Sequence, residues 1–280
     1  MSAARSLDEL PVAPELVIIA ATGDDLLGYA AEAAASEAKA LLVLPPGPED
    51  DGAPSAEQEA RLLEIVRGAG LRMVGPGSLG ALNTATDVSL NATFRGVSVE
   101  RGGLAIGSHA VGLGLGLLGH AAARRLGVSV FVSLGNRADV STSDLLEWCE
   151  DDERTAAVML YVESFGDPQR FMRVAERVAR EKPVLLVKGG GVVDAHVAAR
   201  TRTAAALRGD AVFDAVLHQA GVMRFRSGEE LFQAAELFES QPLPCGRQIG
   251  IVSNSPSVAM VAAEACASVP FSARRAQWVK

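Results

Sequence analysis

Three consecutive glycines, Gly189, Gly190 and Gly191, close an apolar run that opens at Lys182 and Pro183. The run reads as a strand buried on both faces. Glycines at its carboxyl end let backbone amides approach an anion closely, so this loop is a candidate phosphate cradle. Other strand-end positions carry groups that could serve the same ligand. Glu163 closes the stretch Ala156 to Val162, and Asn136 and Asp139 follow Val128 to Ser133. Ser108, His109 and Gly112 follow Gly103 to Ile106, and Gly75, Pro76 and Ser78 follow Leu71 to Val74. Each also has an ordinary reading. A carboxylate at Glu163 can cap the next turn, and Asn136 and Asp139 suit turn chemistry. His109 is either a solvated donor or a phosphoryl acceptor.

The elements that must position these loops alternate along the chain. Leu16 to Ala21 and Ala40 to Leu44 read as strands, with a helix from Leu26 to Ala38 between them. Ser55 caps a helix through Val66, with Gln58 as its capping-box partner. The alternation β-α-β-α-β implies a parallel sheet with right-handed crossovers. Residues 95–103 are turn-rich and mark a junction. Beyond them, five strands and interleaved helices fill a length suited to one doubly wound domain. Its helices are expected at Leu113 to Leu126, at Asp144 to Cys149 behind a Ser143 cap, and at Pro168 to Glu181. Further helices are expected at Ala211 to Ala220 and Glu229 to Phe238. The organisation is therefore α/β, with units at 1–95 and 96–240 and the start of a third, truncated α/β unit at 241–280.

Composition removes several classes of function. The chain is 49% hydrophobic and 21% charged, enough to bury a core. Its net charge of -8 and its two Trp and two Tyr argue against a nucleic-acid surface. Cys149, Cys245 and Cys266 lack metal-ligand spacing and fit reduced thiols in a cytoplasmic protein. No apolar run reaches the roughly 18–20 residues of a membrane helix.

In order and spacing, several segments resemble the NDP-forming acyl-CoA synthetases, the superfamily that includes the succinyl-CoA ligase α subunit. They are Phe131 to Val140, Leu160 to Glu163, Lys182 to Lys188, Gln219 to Val222 and Glu229 to Phe232. The resemblance covers residues 7–265. It implies a partial Rossmann-like CoA-binding domain followed by a flavodoxin-like doubly wound parallel-sheet domain. It also implies chemistry in which acid, CoA and NTP give acyl-CoA, NDP and phosphate through an acyl phosphate and a phosphohistidine. Coenzyme A or acyl-CoA would be the ligand, and ATP or ADP would bind only through a partner ATP-grasp module. Glu163 matches the family carboxylate that contacts the phosphohistidine ring.

Departures from the pattern fall on its catalytic parts. The family's Ser-His-Thr-Gly segment aligns on Thr201, Arg202, Thr203 and Ala204, so Arg202 stands in place of the nucleophile. A guanidinium is always protonated and has no lone pair with which to attack phosphorus. Opposite Glu163 it could form an ion pair instead. The family's Ser-Gln-Ser-Gly-Ala-Leu-Gly loop reads Ser108, His109, Ala110, Val111, Gly112, Leu113, Gly114, and its Gly-Pro-Asn loop reads Gly75, Pro76, Gly77. The first strand and phosphate loop of the CoA-binding domain have no counterpart, which leaves an open sheet edge prone to self-association. Three readings follow. One is a CoA- or acyl-CoA-binding regulatory or assembly module, working with a partner such as a GNAT acetyltransferase. Another is a functional α-type subunit of an ADP-forming ligase, paired with an ATP-grasp subunit. The last is a non-functional remnant.

Overall fold

A computed structural model describes residues 4–45, 54–189, 210–244, 246, 248–267 and 272–273. The chain divides into two compact units, Met1–Ser240 and Gln241–Lys280.

The first unit opens with a parallel sheet in the order β1-β2-β3, formed by Leu16–Ile19, Ala40–Val43 and Arg72–Val74. Helices α1 (Gly23–Ala35) and α2 (Ala56–Gly68) cover one face. Leu26, Ala30, Leu62 and Val66 bury their side chains there against Ile19, Leu41 and Met73. The expected Ser55–Gln58 capping box forms in both directions and fixes the start of α2. β1 borders the sheet and pairs only with β2 among the described residues. Its Ile18 side chain is about half exposed.

A larger sheet follows in the order β10-β9-β8-β6-β7-β4-β5. Its parallel body comprises β6 (Glu100–Ser108), β7 (Gly127–Ser133), β8 (Ala157–Val162), β9 (Val184–Lys188) and β10 (Met223–Phe225). Helices α4 (Thr142–Asp151), α5 (Pro168–Ala179) and α6 (Asp210–Gln219) pack on one face through Leu146, Phe171, Val178 and Leu217. Helices α3 (Val111–Ala123) and α7 (Gly228–Ser240) pack on the other through Leu118, Ala121, Leu231 and Phe232. Burying a side chain as large as Phe171, which is fully enclosed, contributes about 1.5–3 kcal/mol. This is the doubly wound sheet expected from the alternating pattern.

Three details differ from the sequence reading. First, β4 (Ala81–Asn83) and β5 (Leu90–Asn91) lie before the expected junction, yet they extend the second sheet, with β4 antiparallel to β7. Second, β6 starts at Glu100, inside the stretch read as a turn-rich boundary. There the backbones of Gly102 and Gly127 approach so closely that a Cβ on Gly102 would lie 2.3 Å from the Gly127 Cα. Third, α4 is capped by Ser141, not Ser143, because Asp144 at the third helical position returns the hydrogen bond to Ser141. Ser143 is buried in the first turn.

The second unit holds β11 (Gln248–Ile249), α8 (Pro256–Ala267) and β12 (Ser272–Ala273), with β11 parallel to β12. No residue of α8 is buried, and Val258, Met260 and Val261 are exposed.

Candidate functional site

In an open parallel sheet, ligands bind outside the carboxyl ends of the strands where the strand order reverses. Here the reversal lies between β6 and β8, since the chain proceeds from β6 outward to β7 on one side and then to β8 on the other. His109 follows β6 and Glu163 follows β8, so the topology alone brings these two together. The backbone amide of His109 donates to the Tyr161 carbonyl at 3.0 Å, and the amide of Glu163 donates to His109 Nδ1 at 3.0 Å. From the loop after β7, the Arg137 guanidinium also meets His109 Nδ1. With two donors facing Nδ1, the imidazole proton resides on Nε2, which donates to Thr142 Oγ1 at 2.6 Å.

His109 is 4% exposed. Burial and the neighbouring Arg137 charge push its pKa down to about 3, so the ring is neutral across the physiological range. The expectation of a solvated loop histidine is therefore corrected: the ring is buried and both of its nitrogens have protein partners. Arg137 has the left-handed φ of 57°. This conformation turns its side chain back over His109, with Nη2 donating to Ser164 Oγ at 3.3 Å. Burial lowers its pKa, while the Glu163 charge acts in the opposite direction. Gly189 completes the cluster from the end of β9. A Cβ there would stand 2.3 Å from the Tyr161 hydroxyl and 3.2 Å from Glu163 Cγ, so only glycine lets the backbone pass this close. The phenol of Tyr161 is pushed above its ordinary pKa by burial and by the Glu163 charge.

The remaining residues singled out in the sequence lie differently. Gly75 and Pro76, joined by a cis peptide, form a joint between the two sheets. The Pro76 carbonyl accepts from the Asn136 amide at 2.8 Å, and the Gly75 carbonyl accepts from the Ala138 amide at 3.2 Å. Ser78 is fully buried; its hydroxyl donates to the Ser133 carbonyl at 2.5 Å and accepts from the Gly80 amide at 3.0 Å. Ser108, also fully buried, donates to the Ala110 carbonyl at 3.0 Å and shapes the entry to α3. Asn136 is exposed and reaches Glu59 at 3.1 Å. Asp139 accepts from the Met73 amide and from Arg72 Nε, both at 2.9 Å, tying β3 to the second sheet. Gly112 lies exposed in the first turn of α3 with open space around its Cα. Gly190, Gly191 and Arg202 lie outside the described residues.

Arg137 is the site residue that sequence reasoning did not single out. The available signal was its place between Asn136 and Asp139, two residues after a strand-end glycine. Among the described residues, no group of His, Cys, Asp and Glu could hold a metal ion, and no helix is long and apolar enough to cross a membrane.

Comparison with known proteins agrees with this fold. Residues 101–238 match the family described as "Succinyl-CoA ligase like flavodoxin domain". The chain is 30% identical to the 4-hydroxybutyrate–CoA ligase [ADP-forming] of Nitrosopumilus maritimus, over 94% of this chain and 38% of that protein. It is 31% identical to the acetate–CoA ligase [ADP-forming] I subunit alpha of Pyrococcus furiosus, over 93% of this chain and 56% of the subunit. Among solved structures, it superposes on the dinucleotide forming acetyl-coenzyme A synthetase 1 of Ca. Korarchaeum cryptofilum in complex with phosphate and ADP. That superposition has a TM-score of 0.85 at 26% identity and covers 99% of this chain and 59% of the other. The chain thus spans between 38% and 59% of the length of these relatives.

Proposed function

The chain belongs to the NDP-forming acyl-CoA synthetase family, and from that premise we propose that it is a CoA- or acyl-CoA-binding regulatory or assembly module without a phosphohistidine step of its own. The observation that carries this reading is Arg202 at the place of the family's histidine. The described histidines offer no obvious replacement. Both nitrogens of His109 are engaged and the ring is buried. His120 and His218 lie in the last turns of α3 and α6, and in a parallel α/β fold those helix ends lie at the opposite edge of the sheet from the strand carboxyl ends.

CoA would approach the strand-end rim of the first sheet. There Thr22 begins α1 without a side-chain cap bond, and Gly77 leaves open space where a Cβ would stand. ATP or ADP would enter only with a partner carrying an ATP-grasp module, and a GNAT acetyltransferase is the other partner class. The bordering strand β1, with Ile18 exposed, favours self-association through edge pairing. Calorimetric titration with CoA and acetyl-CoA tests the binding reading: micromolar affinity supports it, and no heat at millimolar ligand defeats it.

A second reading, the functional α-type subunit, is favoured by the assembled Glu163, Gly189 and Tyr161 at the switch point. Incubation with an ATP-grasp subunit and γ-phosphate-labelled ATP separates the two. An acid-labile phosphoprotein would select the subunit and remove the first reading.

A further inference from the structure

A cavity of about 430 Å³ lies beside β1, lined by none of the residues of the strand-end cluster. Its size is that of a ligand pocket. One side of it is the strand itself. The Glu15 carbonyl accepts from the Lys39 and Ala40 amides at 2.9 and 3.2 Å, and the Ile19 carbonyl accepts from the Leu44 amide at 2.9 Å. Along a paired strand, residues that bond to one neighbour alternate with residues that face the other side. Glu15, Val17 and Ile19 therefore face β2, while Ile18 and Ala20 turn their N–H and C=O groups outward. Both line the cavity, and among the described residues neither has a backbone partner on that side. The rest of the lining comes from the short 3-10 turn Leu7–Glu9 with its flanks and from α1. The Leu7 amide donates to Glu32 Oε1 at 2.6 Å, which ties the turn to α1, and the Leu7 side chain packs against the core shared by Val17 and Ile19. Leu10 and the half-exposed Tyr29 extend this apolar flank.

We propose that this cleft binds an extended apolar peptide segment of a partner protein by strand addition to β1. Ile18 and Ala20 offer two donors and two acceptors at the two-residue repeat of a strand, and an extended main chain matches that repeat. Side chains on one face of the added strand would lie with Val17 and Ile19 beside Leu7, Leu10 and Tyr29, so that face should be apolar. The other face looks past the half-exposed Ile18 to solvent and is free to be polar. A second copy of the chain would bring its own Leu7–Glu9 turn and α1 to the same edge, whereas a single segment needs only the width of one strand. The inference rests on the open edge of β1, as the self-association reading does, and names a different occupant for it.

The test is fluorescence anisotropy of the full chain with a labelled, end-capped hexapeptide of alternating Val and Thr, which is expected to bind below millimolar concentration. Two N-methylated forms, one methylated on the Val amides and one on the Thr amides, keep the same side chains. Alternate residues of a strand point to opposite edges, so one form should lose at least about 10-fold in affinity and the other should keep it. Ile18→Pro removes an amide that faces outward and leaves the bonds between β1 and β2 in place, an orientation in which an edge strand tolerates proline. It should weaken the peptide by at least about 10-fold with the thermal midpoint unchanged. If that variant does not fold, the methylated pair decides on the parent chain. No binding at millimolar peptide, equal behaviour of the two methylated forms, or a folded Ile18→Pro variant that binds like the parent would each overturn the proposal. Sedimentation equilibrium separates it from self-association. A monomeric chain that binds the peptide defeats the self-association reading alone, and a dimer that Ile18→Pro dissociates, with no peptide binding, defeats the proposal alone.

Discussion

The loop joint at 75–80 and 133–139 and the switch-point cluster at 109, 137, 163 and 189 sit at neighbouring strand ends and use similar residue types, yet they differ in what their polar groups meet. In the joint, the Ser78 hydroxyl and the amides of Asn136 and Ala138 all find protein partners, and the Asp139 carboxylate has Arg72 and a backbone amide. In the cluster, a guanidinium and a carboxylate stand close without pairing. Glycine and serine at a strand end therefore do not by themselves mark a ligand loop. A charge left without a counter-charge is the better guide, because burying one is tolerated only for function or by accident.

The largest expected effect breaks the joint. Gly135 has φ of 59°, and a Cβ there would stand 2.3 Å from the Pro76 carbonyl oxygen. Gly135→Ala should cost about 2–4 kcal/mol, from the left-handed backbone and the overlap together. A urea midpoint within error of the parent would show that the two loops are not wedged together. Acid, by contrast, should attack the cluster. The His109 pKa is lowered from 6.5 in the unfolded chain to about 3 in the fold. The unfolded chain therefore binds a proton that the folded chain refuses, and stability falls as pH drops from about 6.5 toward 3. The ceiling is about 5 kcal/mol at 1.36 kcal/mol per unit. Asp144, held at about 2 by Ser141, Arg170 and Arg72 despite its burial, adds its loss only below about 4. His109→Gln should flatten the pH 6.5–4 limb and leave the lower limb. A parent whose stability is level across that upper limb would mean that the ring is not buried neutral.

The strands and helices were legible because their signals are local. Ser55 and Gln58 announce their capping box, and the period of Phe171, Val174 and Val178 announces the buried face of α5. Assignment of β4 and β5 to the second sheet was not legible, because short strands without a strong alternation choose their sheet by tertiary pairing with β7. Ser143 was misread as a cap because Ser141 satisfies the same local rule and, with Asp144, satisfies it in both directions. At the site, Glu163 and His109 were visible as strand-end residues. Their union with Arg137 was not, since it depends on a left-handed residue and on strand order, neither of which is written in spacing.

The smallest expected effect is the sharpest. If Arg137 serves a ligand and not the fold, removing its charge should cost almost nothing in the ligand-free chain. Arg137→Met keeps much of the apolar stem that covers His109 while deleting a partly buried cation that has no ion-pair partner among the described residues. The loss of the bonds to His109 and Ser164 is set against relief of the guanidinium's burial. The two should nearly cancel, leaving the urea midpoint within about 0.5 kcal/mol of the parent or slightly above it. Residues that trade stability for function behave this way. Joint residues such as Gly135, whose contacts are all internal, cannot. Destabilisation by more than about 1 kcal/mol would instead make Arg137 a strut like those of the joint, with its charge satisfied by the Glu163 field and its hydrogen bonds serving the fold.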